Sequence, residues 1–359
     1  MQCTKQYHVP TVEPIGVIVS LASLPCTEVP QALFYLLQLM LFRGREEDDG
    51  DDCFTSISVV EGSSITIVAE AAALAGLREN VPALVHDEVE WAVVRVAEGS
   101  AGYESVGVVE RLTEPLALQG IPVLYQSTYS MDYCLIPQDR LEEAMAVLER
   151  HSQLPSGPLP DLSANTGAEP EDSLARSASA AAGLGRDSST SAHHTYPLTV
   201  MDRAMTQVMR LEKQHRHRHT GALLRLLFMP YEGDAPQAIA SLTETADEIS
   251  LVVCNAGWWA AYCADSPEAG LHHDPHQGWV PIRVGDESGT PLEETGVIAS
   301  QAKVLADANL SILYLSTFWS DFTLVQKADL ADAVSAFEKS GFRVSRVSEQ
   351  AERLAAAAS

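Results

Sequence analysis

The sequence predicts an α+β protein built from two related halves, and three observations carry that prediction. The stretch Ser127 to Ile136, STYSMDYCLI, returns 189 residues later as STFWSDFTLV, Ser316 to Val325. At that spacing Thr128 falls on Thr317, Tyr129 on Phe318, Asp132 on Asp321, Tyr133 on Phe322 and Leu135 on Leu324, so polar, aromatic and apolar positions recur together. Gly107-Val108 likewise returns as Gly296-Val297, and Trp91 to Val96 as Trp279 to Val284 with one residue less between them. Self-similarity over this range is the signature of a duplicated module. Third, each half mixes short period-2 runs with segments of helical spacing, which is the pattern of an α+β unit.

The first half reads in order as follows. Residues 1–14 carry Pro10 and Pro14 without periodicity and form an N-terminal tail. Ile15 to Leu21 is β-branched and reads as a buried strand; Pro25, Thr27 and Pro30 then lead into a helix from Gln31 to Phe42. That helix is apolar nearly all round and needs cover on more than one side. Glu46 to Asp52, EEDDGDD, is a solvated acidic loop, with divalent-cation capture the sharper alternative; the alternation of an EF-hand loop is missing. Phe54 to Val60 and Ser64 to Glu70 alternate around Glu61-Gly62 as a β-hairpin does. Trp91 to Val96 is the next strand. Val106 to Gln119 has helical spacing, kinked at Pro115 and ended by Gly120. Val123 to Ser127 and Tyr133 to Ile136 are two more strands, and Asp139 caps a closing helix with apolar positions 141, 144, 145 and 148.

Residues 151–198 shift to Ser, Ala, Gly and Pro, a composition that cannot form a core and reads as a disordered linker. The second half, 199–345, opens with a helix-like stretch from Met201 to Met229. A hairpin from Ala238 to Cys254 follows, then a loop from Pro267 to Gly278 and the strand Trp279 to Val284. After these come a helix from Glu294 to Asp307, strands Ser311 to Leu315 and Phe322 to Val325, and a helix from Leu330 to Lys339. Residues 346–359 are an Ala-rich C-terminal tail. The domain plan is therefore a tail, half A at 15–150, the linker, half B and a second tail.

Charge narrows the function. With 23 Lys and Arg against 49 Asp and Glu, the net charge of −26 repels phosphate backbones and anionic lipid, and the basic run Arg210 to His219 is too short to reverse it. Nucleic acid and membrane are not expected partners. Six cysteines without a CxxC spacing, and a start without the order of a signal peptide, point to a reduced, cytoplasmic protein. The most apolar run, Ala32 to Phe42, is well short of the roughly 20 residues that span a bilayer. His193-His194 and His215, His217 and His219 invite a metal reading, but alternate positions on a helix diverge, so a solvated basic surface is the expectation. No Gly-rich phosphate loop, nucleophile elbow or metal spacing is present, so neither an enzyme nor a cofactor is expected.

At this point the residues resemble a known family. Leu227 to Thr245, ending SLTET, and Leu310 to Leu330, LSILYLSTFWSDFTLVQKADL, look like the first half of the animal cytosolic arginine sensors of the CASTOR family. Gly102 to Gln138, with GYESVGVV and QSTYSMDYCLIP, looks like their second half, so the halves stand in swapped order here. The resemblance implies tandem ACT modules, two per half, of ferredoxin-like βαββαβ fold. It implies a sensor of a small amino acid, arginine or another cationic one, that signals through a protein partner in TOR-type (TORC1) nutrient control. A homodimer is one assembly open to it, and an ACT-fold scaffold that has lost its ligand is the alternative.

The resemblance also implies a ligand site. The carboxylate of an amino acid would meet main-chain donors at Ser311 and Ile312, aided by amides near Gly107. Its cationic end would meet Asp132 with Thr128, Tyr129 and Met131, and Gly102 would allow close backbone approach. The acidic residue following that glycine in the family is displaced here, with Glu104 and Ser105 competing for the place. Asp132 has a bland reading too, as a residue that merely shapes a tight turn. The counterpart interface, Pro122-Val123 with Asp321, is expected to be structural, because Pro122 lacks an N–H and Trp319 has the bulk to fill the pocket.

Overall fold

The computed structural model describes residues 10–41, 52–60, 63–97, 106–152, 196–229, 239–254, 259, 262, 270–273, 278–285 and 290–348. The acidic loop up to Asp51, most of the linker, the hairpin tip at 61–62, Gly102 and Glu104 lie outside them. Half A runs β1 (Thr11–Pro25), α1 (Val29–Leu41), β2 (Phe54–Val60), β3 (Ser64–Ala69), α2 (Ala71–Asn80), β4 (Val85–Ala97), α3 (Val108–Leu118), β5 (Leu124–Ser127), β6 (Asp132–Pro137) and α4 (Leu141–Ser152). Half B runs β7 (Leu198–Val200), β8 (Thr206–Leu211), α5 (Arg216–Phe228), β9 (Ile239–Thr245), β10 (Ile249–Cys254), β11 (Leu271–His273), β12 (Trp279–Val284), α6 (Val297–Asp307), β13 (Ile312–Ser316), β14 (Asp321–Gln326), α7 (Leu330–Lys339) and β15 (Val344–Arg346). The class is α+β.

All fifteen described strands belong to one sheet, in the order β11-β8-β10-β9-β2-β3-β1-β4-β6-β5-β13-β14-β12-β7-β15. A further pairing, Trp279 with Thr206, joins β12 to β8 and closes twelve of them into a ring, with β11, β7 and β15 as side branches. The halves meet twice in this ring. One junction is the seven-residue ladder of β2 on β9, from Phe54↔Thr245 to Val60↔Ile239; the other is the single pair Leu315↔Gln126 of β13 and β5.

Period-2 alternation divides the core between the two faces of the ring. On β6, Cys134 and Ile136 lie with Val109, Leu112 and Leu116 under α3, while Tyr133 and Leu135 join Phe54, Trp91 and Leu124 on the other face. That second face is the inside, since Gln126 of β5 reaches across to Thr243 of β9 (Nε2 to Oγ1, 3.1 Å), a strand it does not pair with. Inside, a hydroxyl row lines the β2–β9 junction, Ser56 with Thr243 and Ser58 with Ser241, each at 2.9 Å.

Four elements depart from expectation. Thr11 to Pro14, read as tail, is the start of β1 and pairs with Val94 to Ala97 of β4. Ala71 to Asn80, read as no element, is α2, whose alanine run gives little contrast between faces although Leu74 and Leu77 are buried. Met201 to Met229 is not one helix: Thr206 to Leu211 is a strand held between β10 and β11, and the helix starts only at Arg216. Leu271 to His273, read as loop, is β11. The basic run is not wholly solvated either, because His219 is buried, its Nδ1 3.1 Å from the Tyr262 hydroxyl. Among the described residues no helix is long and apolar enough to cross a membrane.

Candidate site at the junction of α3 and α6

The second junction between the halves is built around a pseudo-twofold axis that sequence spacing alone locates. Gly107 and Gly296 precede α3 and α6 with φ of 82° and 86°, a conformation that favours glycine, and neither helix has a side-chain cap. A Cβ placed on Gly107 would sit 3.7 Å from the Ala306 Cβ, and one on Gly296 would sit 3.8 Å from the Ala117 Cβ. The start of each helix therefore lies against the end of the other, and the pair is antiparallel. Both helices end alike. Ile121 N bonds Leu116 O and Gly120 N bonds Ala117 O, while Leu310 N bonds Leu305 O and Asn309 N bonds Ala306 O. This 6→1 and 5→2 pattern turns the chain sharply from each helix into β5 and β13.

Residues at equal positions in the two halves then meet at the axis. Gln126 stands opposite its counterpart Leu315, and the rings of Tyr125 and Tyr314 lie edge to face with centroids 6.4 Å apart. Two reciprocal bonds stitch the strands, Tyr125 N to Ser316 Oγ at 3.1 Å and Tyr314 N to Ser127 Oγ at 3.0 Å. Each serine is paired across its hairpin with a buried aspartate, Ser127 with Asp132 and Ser316 with Asp321.

The two aspartate ends differ in how their polar groups are used. At the first, the Tyr125 hydroxyl donates to Asp132 Oδ2 at 2.7 Å. The turn before it is closed by Thr128, whose N and Oγ1 reach Met131 O at 2.8 and 2.6 Å. This turn is docked on half B: Tyr129 N donates to Ser250 Oγ at 2.9 Å, and Ser130 N and Oγ bond the buried Glu248 carboxylate at 3.0 and 2.5 Å. Arg210 lies 3.4 Å from the same carboxylate. Gly107 abuts the last turn of α6, from which the chain continues to Ser311, and Ile312 packs on the cluster containing Val108 and Tyr125. Gly107, Ile312, Thr128, Tyr129, Met131 and Asp132 are thus gathered at this one end of the helix pair, where Ser311 begins the approach to β13.

At the second end, the turn bonds Thr317 N to Ser320 O at 3.0 Å and docks on half A through Phe318 N to Thr66 Oγ1 at 2.9 Å. Asp321 is buried, and burial pushes its carboxyl up to about 6, with Ser316 and Tyr314 pulling it back. The Tyr314 hydroxyl lies near Asp321 but makes no hydrogen bond of ordinary geometry. Between Asp321, Thr317, Thr113, Ala117, Val123 and the first turn of α6 is a partly open cavity of about 20 Å³. Trp319 does not fill it: its side chain is 43% exposed and its Nε1 donates to Ser23 Oγ at 3.0 Å. The one signal in the sequence for this cavity was the repeat itself, since each argument for Asp132 applies to Asp321.

The ACT domain family model matches residues 88–150 and 275–339, so the chain carries two ACT-domain copies. These run from within β4 to α4 and from just before β12 to α7, and the junction described above is where they meet. The chain also resembles the cytosolic arginine sensor for mTORC1 subunit 1. It is 28% identical to the Homo sapiens protein over 100 residues, 28% of this chain and 30% of that protein, and 29% identical to the Bos taurus protein over 97 residues. The match thus spans less than a third of the length of these relatives. Among solved structures, an aspartate kinase from Synechocystis aligns over 96% of this chain and 58% of its own length, at 13% identity and a TM-score of 0.31.

Proposed function

We propose that this chain is a cytoplasmic amino-acid-binding regulatory protein without catalysis of its own, which holds its ligand where the two ACT copies meet. The observation that carries the reading is the pairing of an uncapped, glycine-started helix with a buried aspartate, Gly107 with Asp132, at the ACT–ACT junction. Helix-start amides suit a carboxylate, and a buried aspartate suits a cation. In this reading each half is a pair of ACT modules. Strand order supports it: β2-β3-β1-β4 and β9-β10-β8-β11 each follow the order 2-3-1-4 of a βαββαβ unit.

The ligand is arginine or another cationic amino acid. Its carboxylate lies at Ser311, Ile312 and the start of α3, and its cationic end lies at Asp132 with Thr128, Tyr129 and Met131. Occupancy alters the grip of a protein partner in TOR-type nutrient control. A thermal-shift screen of the twenty amino acids tests this, because a ligand at 100 times its Kd adds ~2.7 kcal/mol and raises Tm by about 5 to 10 °C. Arginine or lysine should head the ranking, and Asp132→Ala should abolish its shift. A flat screen would overturn the reading. It would favour instead a ligand-free scaffold, for which the docking of the 128–131 turn on Glu248 already speaks.

A further inference from the structure

At the β2–β9 junction between the halves, a thiol of half A faces an amine of half B. Cys53 directly precedes β2, whose first residue, Phe54, pairs with Thr245 at the end of β9. Lys213 belongs to the short helical turn between β8 and α5, and its Nζ donates to Cys53 Sγ at 3.8 Å. The ammonium is fixed from other sides, by Thr245 O at 2.8 Å and Ala246 O at 3.2 Å, with the buried Glu244 carboxylate 3.6 Å away. Glu244 is itself bonded by Arg216, so the lysine has a rigid anchor.

The described cysteines differ in what surrounds their sulfur. Cys134 and Cys254 are buried. Cys26 gives its S–H to Val60 O at 3.7 Å, at the far end of β2 from Cys53. Cys53 is partly exposed, and its sulfur accepts from a cation. A cation beside a sulfur favours the thiolate, the form that oxidants attack, and a sulfenic acid formed next to a nitrogen nucleophile condenses with it. We propose that Cys53 is a peroxide-sensitive thiol with Lys213 as its resolving group, the two joining through a sulfur–nitrogen bond that ties half A to half B. This goes beyond the amino-acid reading and uses none of the residues of that site.

The co-reactant is hydrogen peroxide. The Cys53 thiolate attacks one of its oxygens; the S–O bond forms, the O–O bond breaks, and the departing hydroxide takes a proton from the Lys213 ammonium and leaves as water. The freed amine then attacks the sulfur; the S–N bond forms, the S–O bond breaks, and the hydroxyl departs with a proton of the amine as a second water. Sulfur is oxidised and the peroxide is reduced to water. The flexible four-carbon stem of the lysine closes the gap between the hydrogen-bonded and the bonded distance. A thiol reductant reverses the link by attacking the sulfur and releasing the amine. At this junction the halves are otherwise held by a ladder of seven residue pairs, and a covalent bond at its end keeps them paired when that ladder opens.

The full-length protein, reduced and freed of small thiols, is treated with equimolar hydrogen peroxide at neutral pH, then denatured, digested and mapped by mass spectrometry. The expected product is a peptide pair joined through Cys53 and Lys213, lighter by two hydrogens than the sum of its parts and split again by dithiothreitol. Lys213→Arg keeps the cation and removes the amine, so the linked pair should be lost and dimedone should capture more Cys53 sulfenic acid than in the unaltered protein. Cys53→Ser should lose both products. No linked pair in the unaltered protein, equal dimedone capture with and without Lys213, Cys53 recovered in a disulfide, or Cys53 oxidised no faster than Cys26 would each overturn the proposal. The first readout is made on the unaltered chain, so a variant that fails to fold does not remove the test.

Discussion

The two ends of the α3–α6 pair share a plan and differ in how that plan is satisfied. Each has a glycine-started helix, a Schellman-type exit, a serine and a buried aspartate, and each docks its Thr-led turn on the other half. At the Asp132 end the protein answers its own polar groups: Tyr125 bonds the aspartate and Glu248 grips the turn. At the Asp321 end the tyrosine stops short, Thr66 accepts from Phe318 N as Ser250 accepts from Tyr129 N, and a cavity remains. Duplication sets backbone geometry at both ends, while a handful of substitutions decides which carboxylate is stabilised and which is left costly.

The strongest way to break this contrast is at the docked turns. Glu248→Ala removes two short bonds to Ser130 and the partner of Arg210, and should cost about 3 to 5 kcal/mol, as breaking a buried charged contact does. Thr66→Val, which removes only the acceptor of Phe318 N, should cost about 1 kcal/mol. Urea denaturation of both variants checks the ranking, and equal losses would show that the turns are held alike.

The aspartates themselves come next. Because the folded-state carboxyl of Asp321 is raised from 3.8 to about 6, its ionised form opposes folding; that cost is fully present above about pH 6 and fades as pH falls toward 4. Asp321→Asn should therefore raise stability by about 2 to 3 kcal/mol at pH 7.5 and change it little at pH 4. Asp132→Asn, which replaces a bonded carboxylate, should lower stability at pH 7.5. Stability curves that move in the same direction for both variants would erase the distinction.

Much of this plan was open to reading in the primary structure, for a physical reason. The repeat preserves residues that fix backbone geometry, so Gly107 and Gly296, the STY and STF turns and the strands after them stand where spacing puts them. What escaped was set by contacts distant in sequence. Thr206 to Leu211 lies in a stretch of helical composition and becomes a strand because β10 and β11 pair with it. Glu248 meets the 128–131 turn across some 120 residues of chain, so nothing near either segment announces the contact. The cavity escaped because side-chain bulk suggested that Trp319 would fill it, whereas the indole leaves for Ser23.

The tyrosines provide a smaller test. Tyr125→Phe takes a donor from a buried carboxylate and should cost about 1.5 to 3 kcal/mol. Tyr314→Phe removes a buried hydroxyl that lies near Asp321 and Gln301 without a hydrogen bond of ordinary geometry, and should cost less than Tyr125→Phe. A melting temperature lowered equally by both would mean that the Tyr314 hydroxyl is already satisfied, as by Asp321 or Gln301.

The smallest expected effect tests the axis directly. At the repeat spacing Glu114 is the counterpart of Lys303, and a pseudo-twofold axis brings counterparts together: Lys303 Nζ lies 3.8 Å from Glu114 Oε1 and 3.4 Å from Glu110 Oε1. Had the halves stayed identical here, like charges would face each other across the helix pair. The opposite signs turn a repulsion into an attraction, though a modest one, since the lysine is half exposed and salt screens it. Lys303→Glu should therefore cost about 0.5 to 1 kcal/mol at low salt, and the cost should shrink above about 0.5 M salt. Adding Glu114→Lys should recover part of that loss; Glu110, itself raised by burial, then faces a glutamate at 303 and keeps the recovery incomplete. If the double exchange is no better than the single one, position 114 does not meet 303 in solution, and the axis that makes the two aspartate ends comparable is misplaced.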